Sequence, residues 1–445
     1  MGHRVAIIGA GLAGLAAGHR LRAAGLNPVV FEAEDFIGGR SASEEVQGFI
    51  IDRGAYTWPQ AHRRLTRVAA DLGLADGLRP TPGTSSTFSR GREHQVKVGS
   101  IKDFLGFRLL PFRNKLDLIG LFLKARRLGP ALNPAAPTAR TLELETETAA
   151  AVLRRHYDET LLETVAYPIF SEIFLGEPET NSWLAFLATI KNLTWFTICA
   201  LDGGMGALAD RLAQDLDVRL GTPVRRISAR SETGPVEVEL GGGGIEICDA
   251  VIVTVPAPLA PGLYPDCPRP VKDLLGRVAY APSIVVALAL DRPWPGHSYL
   301  NNLLRREFQV VATVVLDHHK GPGRCPPDKG LVTAVLSAPA ARKLLEAPEE
   351  TIVQAVLSEI ERLWPGFSSR VLFARVYCWP CGAVQLGPGA VAERRRLTEE
   401  LDRLPGPVYF AGDGLLKSSL EISYNSGVGA AERWLARGRP AGDGR

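Results

Sequence analysis

No stretch of this 445-residue chain holds the roughly 18 uninterrupted apolar residues that span a bilayer. Charge of one sign is scarce as well: 51 Lys and Arg against 48 Asp and Glu leave a formal net charge of +3. That is too little at this length to argue for nucleic acid. Cysteine is sparse, six residues in all, at Cys199, Cys248, Cys267, Cys325, Cys378 and Cys381. Only the last two are close; their C-x-x-C spacing lacks the βαβ setting of a thiol redox motif, and no second pair supports zinc. The histidines His3, His19, His62, His94, His156 and His297 are scattered. His318 and His319 are adjacent and would face opposite ways on a strand, so no metal is expected. No G-x-S-x-G elbow marks a nucleophile. The remainder, 46% hydrophobic and 22% charged, is the composition of a globular chain long enough for two or three domains. Met1 leads almost at once into an apolar strand, so no signal peptide is expected and the cytoplasm is the expected compartment.

What is present begins at that strand. Val5-Ala6-Ile7-Ile8 runs into Gly9, Gly11 and Gly14 at G-x-G-x-x-G spacing, then a helical pattern, then Val29-Val30-Phe31. Gly9 permits a tight turn, Gly11 lets the backbone approach a pyrophosphate, and Gly14 lets helix and strand pack closely. Leu12 and Ala13 open the helix, whose free N–H groups and positive dipole end suit phosphate. Glu32, 21 residues after Gly11, is placed to accept hydrogen bonds from ribose hydroxyls. A complete βαβ dinucleotide unit is therefore expected, and no second such fingerprint follows. Gly241 to Gly244 precede a strand and read as a hairpin turn. The missing second fingerprint argues against a tightly bound nicotinamide and favours dioxygen or a quinone as electron acceptor.

The next residues narrow the nucleotide. Glu32-Ala33 through Gly38-Gly39-Arg40, and Gly48-Phe49-Ile50-Ile51-Asp52-Arg53-Gly54-Ala55, resemble segments of the flavin amine oxidase and protoporphyrinogen oxidase family. At the far end, Val408-Tyr409-Phe410-Ala411-Gly412-Asp413 and Asn425 to Leu435 are similar to that family's closing strand–turn and small-residue helix. The resemblance, which covers nearly the whole chain, implies FAD. It places Ala33, Gly39 and Arg40 by the pyrophosphate, the backbone of Val224 at the adenine edge, and Gly412 and Asp413 by the ribityl chain. It places the N-terminus of that small-residue helix at the flavin's pyrimidine end, and Leu420, Glu421 and Ile422 against the cofactor. A guanidinium at Arg40 suits phosphate oxygens, and a helix N-terminus suits the negative charge of reduced flavin.

The implied fold is α/β with α+β insertions, a Rossmann-type FAD-binding domain interleaved with a substrate domain of sheet and helices. The former takes residues 1–75, 201–262 and 386–445, Leu201 to Leu208 restarting it with a helix. The latter takes 76–200 and 263–385. An apolar stretch with interspersed basic residues near 100–130 reads first as a core helix pair and second as a face toward a membrane. The last residues, 436–445, read as a frayed tail.

Pro168 to Ser182 and Leu201 to Leu208 are similar to the protoporphyrinogen oxidase branch, with departures at Glu172, Ile173 and Phe174. The amine oxidase branch uses a lysine and two aromatic cage residues; alignment by eye puts Val285, Gly382 and Ser419 there. A small apolar or macrocyclic substrate is therefore expected, dehydrogenated by hydride transfer to flavin N5, with no side chain standing out as a catalytic base. Trp379 and Cys381 fall near the flavin. Two thiols in a loop beside a non-covalent cofactor is the favoured account, ahead of a covalent tether at Cys381. An amine or amino-acid oxidase with an atypical pocket, a redox-neutral flavin isomerase and a flavin-binding structural protein stay open. So do a homodimer and peripheral contact with the inner face of a membrane.

Overall fold

The computed structural model describes residues 3–81, 83–97, 100–192, 198–229, 231, 234–296 and 298–438; His297 and the tail from 439 lie outside them. Val5–Ile8, Val29–Phe31 and Ala250–Val253 are short, wholly buried apolar runs, the pattern of parallel strands covered on both faces. They form a five-stranded sheet in the order Asp217–Arg219, Val29–Phe31, Val5–Ile8, Ala250–Val253, Val408–Phe410, every pair parallel.

Helices Leu12–Arg22 and Leu420–Gly438 share the apolar core on one face of this sheet, where Leu15, Ala16, Val428 and Ala431 are buried. Their approach is very close: a Cβ on Gly427 would stand 1.9 Å from the carbonyl oxygen of Ala13. No other residue fits there without parting the helices. The other face is covered by an antiparallel sheet of Val224–Ala229, Val236–Leu240 and Ile245–Cys248 and by helices Arg269–Gly276 and Ala390–Arg403.

A second, seven-stranded sheet runs Val371–Val384, Tyr280–Leu290, Gly330–Leu336, Val311–Leu316, Leu300–Leu303, Thr84–Ser89, Arg92–Lys97. It is antiparallel except for the parallel contact of Leu300–Leu303 with Thr84–Ser89. Beside it a helical layer, including Phe112–Leu128, Ala149–His156, Tyr167–Ile173 and Trp183–Asn192, closes around Phe170, Phe186 and Leu187.

Four local expectations change. Leu201 ends a strand, Ile198–Leu201, paired with Trp58–Pro59 and Leu78–Pro80; the helix starts only at Ala207, after a glycine turn nested against Ser43. The last helix starts at Leu420, ahead of the small residues from Asn425. Cys378 and Cys381 lie within strand Val371–Val384, and not in a loop. That strand is at the edge of its sheet, where Pro380 is tolerated. His318 and His319 sit on a short helical turn, Asp317–His319, with their rings 4.6 Å apart, and not on a strand.

Candidate active site

The nucleotide turn is built from short-range contacts. Gly9 donates to the Phe31 carbonyl at 2.8 Å at a φ of +103°. Helix Leu12–Arg22 starts at Gly11 with no side-chain cap and no acidic residue in its first turn, while Leu12 and Ala13 are buried. A Cβ on Gly11 would meet nothing within 4 Å. The positive end of the helix thus opens onto vacant space, the arrangement an anionic pyrophosphate needs. Glu32 stands at the lip, its carboxylate accepting from the Ala10 amide at 2.6 Å and the Glu34 amide at 3.0 Å. Ala33 beside it is exposed. Gly38 bridges to Gly11, and a Cβ on Gly39 would lie 3.6 Å from the Gly11 Cα. Thr222 donates to the Glu32 carbonyl at 2.7 Å, which draws buried Val224 alongside. The residues present fit an adenosine diphosphate group.

Arg40 also has partners within the protein. Its two terminal nitrogens fork onto Asp413 at 2.8 and 2.9 Å, and Nη1 also donates to the carbonyls of Cys381 (3.1 Å) and Gly382 (3.0 Å). Asp413 accepts in addition from the Tyr280 hydroxyl at 2.8 Å and from Ser418 at 2.6 Å. Burial alone would raise the Asp413 pKa, but the Arg40 charge and these hydrogen bonds hold it below the usual carboxylate value. Two residues singled out for the pyrophosphate and ribityl chain are therefore also partners, clasping the first nucleotide segment to the second sheet and to the turn that follows strand Val408–Phe410.

Gly412 donates to Ser426 at 3.0 Å. Leu420 and Ile422 are half-buried in the first turn of that helix, while Glu421 accepts from the Leu65 amide at 3.1 Å. Trp379 donates to the Arg53 carbonyl at 2.8 Å. Cys381 is a free, half-buried thiol whose pKa burial pushes up, so it is held protonated, the less nucleophilic form.

The three amine-branch positions carry no amine-branch groups. Val285 is buried between Val335 and Tyr377 in the sheet. A Cβ on Gly382 would stand 2.7 Å from the Ser283 Cβ and 2.9 Å from the Ala281 carbonyl oxygen, so no side chain fits. The Ser419 hydroxyl lies 3.1 Å from His62 Nε2.

Polar groups that sequence reasoning passed over lie close by. Tyr56, Tyr299, Leu300, Val315 and Val335 form an apolar cluster with Leu175 and Ile198. Glu172 enters it from helix Tyr167–Ile173, beside Tyr56 and Tyr299 and bonded to Asn302. Burial pushes the Glu172 carboxyl up to about 7, and the buried Tyr56 hydroxyl has no hydrogen-bond partner among the described residues. Glu172 is a candidate for proton exchange that the sequence reading did not single out as a base. The signal was the family departure at Glu172, a lone acid in an apolar run.

Beneath Tyr56, Asp52 binds Lys320 (3.1 Å) and Arg324 (3.0 Å), and Lys320 binds Asp317 at 2.6 Å, all buried. Near Ser419, burial and then Lys191 lower the Lys417 pKa; burial and then Lys417 bring His62 down to about 4.

A parallel sheet opening a bare helix N-terminus, clasped to an antiparallel sheet that carries a buried, mostly apolar cluster, is the arrangement an FAD-dependent oxidoreductase needs. The chain belongs to the flavin-containing amine oxidoreductase family, which matches residues 12–435 and whose members use FAD. It is 27% identical to the flavin-dependent L-tryptophan oxidase RebO of Lentzea aerocolonigenes, over 100% of this chain and 99% of that one. It is 25% identical to the mitochondrial protoporphyrinogen oxidase of Nicotiana tabacum, over 54% of this chain and 45% of that one. A solved structure of a redesigned putrescine oxidase, a triple mutant, superposes with a TM-score of 0.80 at 21% identity, covering 98% of this chain and 99% of that one. That last likeness concerns the fold alone.

Proposed function

We propose that the enzyme dehydrogenates a predominantly apolar or macrocyclic substrate, with dioxygen or a quinone as final acceptor. One observation supports this: Tyr56, Tyr299, Leu300, Val315 and Val335 form a buried, mostly apolar cluster on the second sheet, with the Glu172 carboxyl beside it. FAD, when bound, supplies the hydride acceptor at N5. The protein's part is to hold FAD without a covalent bond, through Gly9, Gly11, Gly14 and Glu32, and to exclude water along that cluster. Glu172 exchanges a proton with a substrate N–H or O–H near neutral pH. Arg40 and Asp413 fix strand Val371–Val384 against the nucleotide segment. The accompanying division of the chain is an FAD-binding domain of 1–75, 201–262 and 386–445 and a substrate domain of 76–200 and 263–385.

A second reading, oxidation of an amino acid, is favoured by Lys417 and His62 beside Ser419, cationic and hydrogen-bonding groups suited to a carboxylate. An anaerobic flavin-bleaching comparison separates the two. A porphyrinogen or polyene is expected to reduce the flavin faster than simple amines or amino acids, and admitted air to restore the colour. A simple amine or amino acid faster by about tenfold, roughly 1.4 kcal/mol of transition-state preference, overturns the first reading.

A further inference from the structure

Helix Phe112–Leu128 is apolar on two opposite faces. One face does the expected work of a core helix: Leu121 and Ala125 are buried, and Leu118, Phe122 and Leu128 pack against the helical core that holds Trp183, Leu184 and Leu187. The opposite face carries Phe112, Leu116, Ile119 and Leu123, at i, i+4, i+7 and i+11, which form one stripe on a helix. They are 70, 53, 42 and 54% exposed. The short helix Ile101–Gly106 adds Ile101 and Leu105, 76 and 53% exposed. Half of the exposed large hydrophobic side chains among the described residues thus lie between 101 and 123. Scattered exposed leucines need no explanation, but a contiguous stripe marks an interaction face.

The surrounding charge says what covers it. Lys102, Arg108, Arg113, Lys124, Arg126 and Arg127 are all exposed, and none of the six forms a salt bridge among the described residues. Asp103 and Asp117 are the only acids between 101 and 128. An apolar stripe flanked by unpaired cations is complementary to anionic headgroups above acyl chains. Among the described residues no helix is long and apolar enough to cross a membrane, so contact of this kind is with a surface. A second copy of this chain would bring the same cations against themselves.

We propose that the face formed by helices Ile101–Gly106 and Phe112–Leu128 docks on an anionic bilayer surface, its apolar stripe at the acyl boundary and its lysines and arginines among the headgroups. The proposal is independent of the substrate reading.

The test is flotation of the FAD-loaded protein with vesicles of phosphatidylcholine alone or mixed with phosphatidylglycerol. Binding is expected to the mixed vesicles and to weaken as salt is added, because salt screens the headgroup charge. L116E/L123E is expected to abolish it with flavin content unchanged. K124Q/R127Q keeps the apolar stripe and gives up only the Lys124 approach to the Trp183 ring, 5.8 Å to its centroid; it is expected to weaken partition about 30-fold, roughly fivefold for each charge removed near the surface. Absence of binding to mixed vesicles overturns the proposal, as does K124Q/R127Q binding as well as the parent. A dimer in sedimentation that L116E/L123E dissolves, with no vesicle binding, overturns it in favour of a self-interface.

Discussion

Glu172→Gln makes a demand on stability that runs against ordinary expectation for a pocket substitution. Burial raises the Glu172 carboxyl from 4.5 to about 7, so the folded protein keeps a proton there that the unfolded chain gives up. Below pH 4.5 both states are protonated and the group imposes no penalty. From pH 4.5 to about 7 the unfolded state ionises while the folded state does not, and stability falls by about 1.4 kcal/mol per pH unit. Above the folded pKa the whole difference, about 3 kcal/mol, has been lost.

A neutral glutamine of the same shape keeps the Asn302 contact and never ionises. E172Q is therefore expected to match the parent near pH 4.5 and to exceed it by about 3 kcal/mol near pH ~8. With roughly 2.1 cal/mol/K of unfolding entropy per residue, that is about 3 °C in Tm if the chain unfolds as one unit. Melting followed by circular dichroism across this pH range, on parent and variant together, reads the difference in slope. Parallel curves would falsify the claim that Glu172 is buried as an acid in the fold.

Two further outcomes concern the cofactor. Gly11→Val adds a side chain in vacant space, so the variant should fold with near-parent circular dichroism yet purify colourless; full FAD occupancy contradicts the placement of pyrophosphate above Gly11. Acid precipitation should leave the flavin in the supernatant, and Cys381→Ser should change nothing in that assay. Colour that stays with the pellet and disappears in the serine variant makes Cys381 a tether.

How far the sequence could be read depended on the range of each contact. Gly9, Gly11, Gly14 and Glu32 act through neighbours along one βαβ unit, and their pattern alone carries the turn. Arg40 and Asp413 were each visible in a motif, but their pairing was not. It exists only because strand Val408–Phe410 joins the edge of the same sheet as Val5–Ile8. Glu172 stood out as a mismatch to a family pattern, yet its helix is apolar on nearly every side, and periodicity then gives no sign of which face meets a pocket. Helix Phe112–Leu128 posed the same problem twice over: with apolar residues on opposite faces, the pattern predicts a core contact without saying which face makes it. A loop is expected around Cys378 and Cys381, but the strand runs through them at the sheet edge, where Pro380 is tolerated.

The contact between Gly427 and Ala13 orders events in the life of the molecule. The first glycine turn leaves the ribosome well before the helix that backs it, Leu420–Gly438, and the strand Val408–Phe410 that completes its sheet. Until then a nascent chain carries the nucleotide turn without its backing helix and with the sheet edge open. Cofactor binding is therefore expected only once residues 408–438 have been made; a ribosome-bound fragment that stops short of Val408 and still retains FAD would overturn this.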